Sequence, residues 1–401
     1  MRRRARWTAL VALLVFTAAL LGGCWSRVEL NDIALVLGLA VDLGEEEAVR
    51  VTLHVPRPVA PQQAAGLGGA QEPVWVVARE AGSLSDALAL IRLASPRRLV
   101  FHHLRVVLIG EEYARRYGIG DVLDFLATNQ EIRLTARPFL VEGRAQEVLE
   151  TLPQLRALQP FNLTGIQQAK GRTDWRLKDL LVARASVTHS VWIPTVRVIQ
   201  RPAGTPHSPL TGVELSGVAL FRRDYLQRIL GPPAYQVIAW FLGDPSGFTI
   251  TAPCPAGSHG TISATVLTGR TRVRPRWEGD GIAFRVEVST HVNVMRSECQ
   301  IGELKDAPVR ELVERILAED LHERVEQFIR ITQESVTDPV GFGKYAQMAF
   351  PQYYKRMEDH WGEQLWPTTP VEVVARVTVD QAGLVTGPVH PTERELREGL
   401  H

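Results

Sequence analysis

Charge of one sign, lysine, internal repeats and a second long apolar run are all missing or scarce in this 401-residue chain. Its 45 basic side chains nearly balance 44 acidic ones, which argues against a polyanion such as nucleic acid as the partner. Most of the positive charge is arginine, and that bias reads as base composition rather than as a phosphate-binding patch. Beyond the N-terminal segment no stretch approaches the about 20 apolar residues that a membrane-crossing helix needs. Cysteine is limited to three residues, Cys24, Cys254 and Cys299. With 45% hydrophobic residues the chain can nevertheless bury sizeable cores, and its length predicts two or three domains.

What is present begins at the first residues. Met1 is followed by Arg2, Arg3, Arg4 and Arg6, then by an apolar run from Trp7 to Leu21, then by Leu21-Gly22-Gly23-Cys24. Basic, apolar and small residues in that order read as a secretory signal over residues 1–23. The last four residues match the bacterial lipobox, which predicts a diacylglycerol on Cys24; an ordinary cleaved signal and an uncleaved anchor are the competing readings. Loss of residues 1–23 removes four arginines and no acids, taking the formal charge from +1 to −3. A lipid on Cys24 places the chain on the outer face of the cytoplasmic membrane. Cys254 and Cys299 are then an even pair in a compartment where disulfides persist, either bonded or two buried thiols. The residues Trp25 to Asp32 form a tether of at most about 28 Å, so the body sits close to the bilayer.

Hydrophobic periodicity predicts a strand over Ile33 to Asp42 and another over Ala48 to Pro56, around the acidic turn Gly44-Glu45-Glu46-Glu47. Residues 58–73 read as an exposed loop. Val74 to Arg79 is a predicted strand, and Ser83-Leu84-Ser85-Asp86 resembles a capping box that starts a helix. Strands over Leu104 to Ile109 and Leu134 to Val141 alternate with helices over Glu111 to Tyr117, Asp121 to Thr128 and Ala145 to Leu152. Leu155 to Trp192 shows no clear period. The prolines Pro202, Pro206 and Pro209 mark residues 201–212 as a linker between domains at 24–200 and 213–390, and 391–401 is a polar tail. After the linker come a strand from Gly217 to Phe221, a helix from Pro232 to Phe241, and strands over Phe248 to Ala252, Thr261 to Thr271 and Ile282 to Val294. Asp306 caps a long helix that carries Val309, Leu312, Val313, Ile316, Leu317, Leu321, Val325 and Phe328 at three- and four-residue steps. A helical stretch from Lys344 to Trp361 and a strand from Val371 to Val379 close the second half.

No catalytic or metal constellation emerges. His102-His103 cannot put both rings on one side of a strand, and His322-Glu323 is followed by Glu326 where a zinc helix needs a histidine. Ser258 lacks the strand-turn-helix setting of a nucleophile elbow and reads as a turn. Gly341-Phe342-Gly343 follows a helix rather than a strand, so it breaks one helix and starts the next instead of cradling phosphate. Glu311, Glu314 and Glu319 read as the solvated face of the long helix. The predicted sets of catalytic, metal and cofactor residues are therefore empty, and no ligand-binding residue is assigned.

The stretch Cys24-Trp25-Ser26-Arg27-Val28-Glu29-Leu30-Asn31-Asp32 resembles the mature start of the Ger(x)C family, with Ser26 where aspartate is commonest. Further similarity runs through His103 to Glu111, Asp124 to Ile132, Pro138 to Leu149, Leu215 to Leu226, Ala252-Pro253-Cys254-Pro255, Gln333 to Gly343, Phe350-Pro351 through Trp366, and Val371 to Val379. The resemblance implies a non-enzymatic lipoprotein C subunit of a spore germinant receptor. Such a subunit works with integral membrane A and B subunits at the spore inner membrane. It also implies a family-specific multidomain α+β fold, with mixed sheets flanked by helices. A different class, a solute-binding lipoprotein that captures a small nutrient itself, stays open at this stage.

Overall fold

A computed structural model of the chain describes residues 32–57, 74–151, 159–169, 173–186, 189–200, 211–243, 245–255, 259–279, 281–299, 301 and 304–382, with isolated residues before Asp32. Strands β1 (Ile33–Leu35), β2 (Gly38–Leu43), β3 (Val49–Pro56) and β4 (Val74–Ala81) lead into helix α1 (Leu84–Ala94). Next come β5 (Arg98–Val100), β6 (Val106–Gly110), α2 (Glu111–Arg116), α3 (Gly120–Thr128), β7 (Arg137–Val141), α4 (Ala145–Glu150), α5 (Gln159–Ala169) and α6 (Leu177–Arg184). The chain continues through β8 (Trp192–Gln200), β9 (Thr211–Arg222), β10 (Tyr225–Leu230), α7 (Pro232–Leu242), β11 (Thr249–Pro253), β12 (Thr261–Glu278) and β13 (Gly281–Ser297). It closes with α8 (Ala307–Glu334), α9 (Phe342–Ala349), α10 (Pro351–Met357) and β14 (Val371–Ala382).

Mixed sheets flanked by helices make up the architecture, as the α+β reading expects. An eight-stranded sheet has the order β10-β9-β8-β7-β6-β2-β3-β4. Its centre, β2-β6-β7-β8, is parallel, and antiparallel pairs flank it on both sides. The parallel strands are buried on both faces and therefore read as continuous apolar runs. Phe139, Val141, Val106 and Leu108 face a core shared with α4, while Val107, Ile109 and Leu140 face the main core. A second sheet, β11-β12-β13-β14, is antiparallel except for its last pair.

The run Ile33 to Asp42 is two strands rather than one. Its first three residues pair in parallel with β5, and the chain then steps into the large sheet, Leu37 N–H donating to the His54 carbonyl at 3.0 Å. Each predicted strand of the β12–β13 hairpin is longer than its apolar run, because arginines alternate with inward residues along the pairing from Arg270 to Trp277. The stretch without a clear period holds α5, α6 and the start of β8.

The proposed division at 201–212 does not follow the sheets. β9 and β10, assigned from sequence to the second half, complete the large sheet beside β8. The close approach of β10 is what requires Gly217 (φ 151°), where a Cβ would collide with the Leu230 carbonyl oxygen. Helix α7 then packs on β9, β12 and α8 together, and one apolar core runs from Ala34 to Val379 through both sheets. Linker composition is a local signal, whereas the sheet edge is set by hydrogen bonding farther along.

The acidic turn after β2 has a built-in counterpart. Glu80 Oε2 accepts the N–H groups of Glu45 and Glu46, each at 3.0 Å, and that of Glu47 at 3.4 Å, while Arg50 Nε donates to Oε1 at 2.7 Å. These donors, the Glu46 N–H first, hold the Glu80 carboxyl down to about 2 from its ordinary 4.5 against partial desolvation. A folded-state value below the unfolded one adds stability above pH 4.5 that is lost as pH falls toward 2. Burial also pushes the His54 imidazole down to about 4 from 6.5, so its contribution is lost over the higher window from 6.5 to 4. In urea titrations across pH, Glu80→Gln is expected to flatten the stability loss between pH 4.5 and 2 while leaving the His54 window in place.

Candidate functional site: the junction around Asp338

After α8 the chain reaches Val336, a β-branched residue in the left-handed region (φ 54°), then Thr337, Asp338 and Pro339. Few β-branched residues adopt that backbone unless the surroundings impose it. Two residues on is Asp338, whose residue surface is only 2% exposed. Its Oδ1 accepts the N–H groups of Gly341 (2.8 Å) and Phe342 (2.9 Å), and its Oδ2 accepts those of Gly343 (2.8 Å) and the Trp361 indole (3.0 Å). The first three are N–H groups that the start of α9 leaves without helical partners. Gly341 (φ 81°) provides the left-handed turn that aims them inward.

The same aspartate joins the second half to the first. Its N–H donates to Ser190 Oγ at 2.8 Å, its carbonyl accepts the Ser190 N–H at 2.8 Å, and His189 Nε2 lies 2.7 Å from the Pro339 carbonyl oxygen. Around it, Phe342 stacks on Trp366 (4.6 Å between centroids) and meets Phe284 edge-on (5.0 Å). Trp366 Nε1 donates to the Thr337 carbonyl at 2.7 Å, and Gln333 Nε2 donates to the Thr369 and Trp366 carbonyls. Burial pushes the Asp338 carboxyl up from its ordinary value, and the N–H groups of Gly343 and Phe342 and the Trp361 indole oppose the shift.

Both oxygens of Asp338 are thus occupied by donors that belong to the fold. Such a carboxylate has no acceptor site left for a substrate proton and acts as a rivet. Beside it opens a cavity of about 410 Å³, lined among others by Arg184, His189, Arg222, Asp359, Trp361 and Glu363. Several charges on its wall are paired: Arg184 bridges Asp124 (2.5 Å) and Asp224 (2.9 Å), and Arg222 meets Glu363 at 2.8 Å.

The residues singled out from sequence are distributed as follows. Cys24, Ser258 and the loop 58–73 lie outside the described residues. Cys254, just after β11, is bonded to Cys299, just after β13, with 5.5 Å between Cα atoms; the bridge therefore spans β12. His102 and His103 are exposed turn residues, and His322 lies 3.9 Å from Glu326 on α8. Among the described residues no group of His, Cys, Asp or Glu could hold a metal, and no helix is long and apolar enough to cross a membrane. Glu311 and Glu319 are exposed, but Glu314 is half-buried and accepts the Val379 N–H at 2.9 Å, clamping α8 to β14. Gly341-Phe342-Gly343 does start a helix, and its N–H groups close on Asp338. Sequence reading missed the role of Asp338; the available signal was an Asp-Pro pair followed at once by Gly-Phe-Gly.

Leaving a buried donor unsatisfied costs about 1–3 kcal/mol. Asp338→Ala strands four donors, so a loss of more than about 4 kcal/mol in urea unfolding is expected, with Asp338→Asn retaining part of the stability. The Cys254–Cys299 bridge closes a 45-residue separation, and the chain-entropy relation gives it about 4 kcal/mol. Cys254→Ser, or reductant on the parent protein, is expected to lower the unfolding midpoint correspondingly.

Comparison with known proteins places this geometry among relatives. Residues 26–198 match the domain family described as spore germination protein N-terminal domain, and residues 216–383 match the one described as spore germination B3/GerAC like, C-terminal. Spore germination protein KC of Bacillus subtilis (strain 168) is 23% identical, over 95% of this chain and 97% of its own. Spore germination protein B3 of the same organism is 21% identical, over 88% of this chain and 92% of its own. The crystal structure of the GerBC protein superposes with a TM-score of 0.56 at 19% identity, covering 86% of this chain and 97% of that one. Matches to both domain families in order, full-length similarity and a shared fold show that the chain belongs to the Ger(x)C family of spore germination proteins.

Proposed function

We propose that this chain is a non-enzymatic subunit of a spore nutrient germinant receptor. In this reading a lipid on Cys24 holds it on the outer face of the spore inner membrane, where it docks with integral membrane A and B subunits. The observation that carries the germination role is the ordered match of both halves to spore germination domains. The tether adds the physical logic. A lipid and at most about 28 Å of chain confine the body to a thin layer beside its partners, raising its effective concentration without new contacts. A fold riveted across its halves at Asp338 suits a scaffold that presents fixed faces. The outer side of α8 is the candidate partner face, since its inner side is committed to the core through Val313, Leu317, Leu321, Val325 and Phe328.

One observation favours a second reading, direct nutrient capture. The junction cavity of about 410 Å³ is lined by side chains of both signs and has the size of small-ligand sites. Under that reading a panel of free amino acids and sugars raises the melting temperature of the protein.

Cys24→Ala tests the main reading. The variant is expected to fold but to leave the spore membrane fraction, with germination through this receptor lost. Normal germination by spores carrying it would overturn the anchored-subunit role.

A further inference from the structure

Arginine, scattered in the sequence, is gathered by the fold at one place that the function above does not use. At the N-terminal ends of the parallel strands lies a pocket of about 260 Å³ whose wall includes His102, His103, Arg105, Arg133, Arg137 and Arg176. No carboxylate is among the residues that line it. Backbone hydrogen bonds fix the arrangement: Arg105 N–H donates to the Leu37 carbonyl, Arg137 N–H to the Arg105 carbonyl, and Leu177 N–H to the Ala136 carbonyl, each at 2.8 Å. Four arginines from three stretches of chain thereby line one pocket.

Asp174, behind the wall, serves both Arg137 (2.6 Å to Oδ1) and Arg176 (Nε to Oδ2, 2.6 Å). Arg133 has no ion-pair partner among the described residues, and it is exposed. Most telling is Arg137. Its side chain is 9% exposed, and while its terminal nitrogen pairs with Asp174, its Nε is buried without a partner. A buried guanidinium donor without an acceptor, on a residue of a pocket lined by four arginines and no carboxylate, suits an anion, and planar forks of this kind match the oxygens of a phosphate group.

The position of the pocket says where that phosphate comes from. β1 enters beside β5, and Leu37, four residues after Ile33, is bonded to Arg105, so the pocket lies within about 14 Å of chain from the end of the tether. Leu134, 44% exposed, stands among the same loop residues. We propose that this pocket binds the phosphate of an anionic phospholipid headgroup, giving the body a second hold on the membrane surface beside the tether. The choice of lipid as the source rests on the membrane-anchored reading; the pocket's affinity for phosphate does not.

The test uses the chain from residue 24 onward carrying Cys24→Ala, so that neither acylation nor the basic signal segment plays a part, with and without Arg105→Gln plus Arg133→Gln. Binding is measured to vesicles of phosphatidylglycerol in phosphatidylcholine, to phosphatidylcholine alone, and to inorganic phosphate by calorimetry. At an anionic surface each arginine is worth about a factor of five, so the double variant is expected to bind phosphatidylglycerol vesicles about thirty-fold more weakly. Binding to neutral vesicles is expected to be unchanged, and phosphate is expected to compete in the parent alone. Phosphate binding by the parent with vesicle affinity equal in both proteins would overturn the headgroup assignment in favour of a soluble phosphate ester. Absence of phosphate binding together with equal vesicle affinity would overturn the site itself. Neither result depends on a lipid at Cys24, whose absence would be read separately by mass spectrometry of the native protein.

Discussion

A single buried carboxylate sets the geometry on which the two halves of this protein depend. Burying a charge is unfavourable unless it is fully hydrogen-bonded, and Asp338 meets that condition with four N–H donors drawn from α9 and Trp361. Once those bonds form, the turn after α8, the start of α9 and the aromatic layer of Phe342, Trp361 and Trp366 have one arrangement. The backbone of Asp338 is then presented to Ser190, and the first half is bound to the second.

This rivet works with a continuous core. α7 lies between β9 and β12, and Tyr235 on it shares a short hydrogen bond with Thr173 of the first half. Trp192, at the start of β8, stacks on Trp175 at 4.3 Å, so the stretch that shows no clear period is an aromatic seam of the large sheet. Two bodies joined by a flexible linker would move independently; a shared sheet, a shared helix and a shared carboxylate make these halves one platform.

In the proposed role such a platform works by position. Such a role accounts for the way polar groups are used here. Asp338, Glu80 and Glu314 each accept backbone N–H groups and brace turns or strand ends. The pocket at Arg137 is different in kind, with arginine side chains and no carboxylate in its wall, and the loop that bounds it is bonded to Leu37, just after β1.

Local order was readable from residues close in sequence. The 3.6-residue period of α8, the Ser83 cap that accepts the Asp86 N–H, and the β2–β3 hairpin around its acidic turn depend on neighbours a few positions apart. The signal-like start and the spaced family motifs were equally visible, because they are strings of residue types. Only the tertiary structure decided that β9 and β10 close the first sheet, that Cys254 meets Cys299, that Asp338 reaches Ser190, and that four arginines share a pocket. Those outcomes are fixed by hydrogen-bond partners and by which strands become neighbours, across separations of up to 148 residues, and no local pattern encodes them.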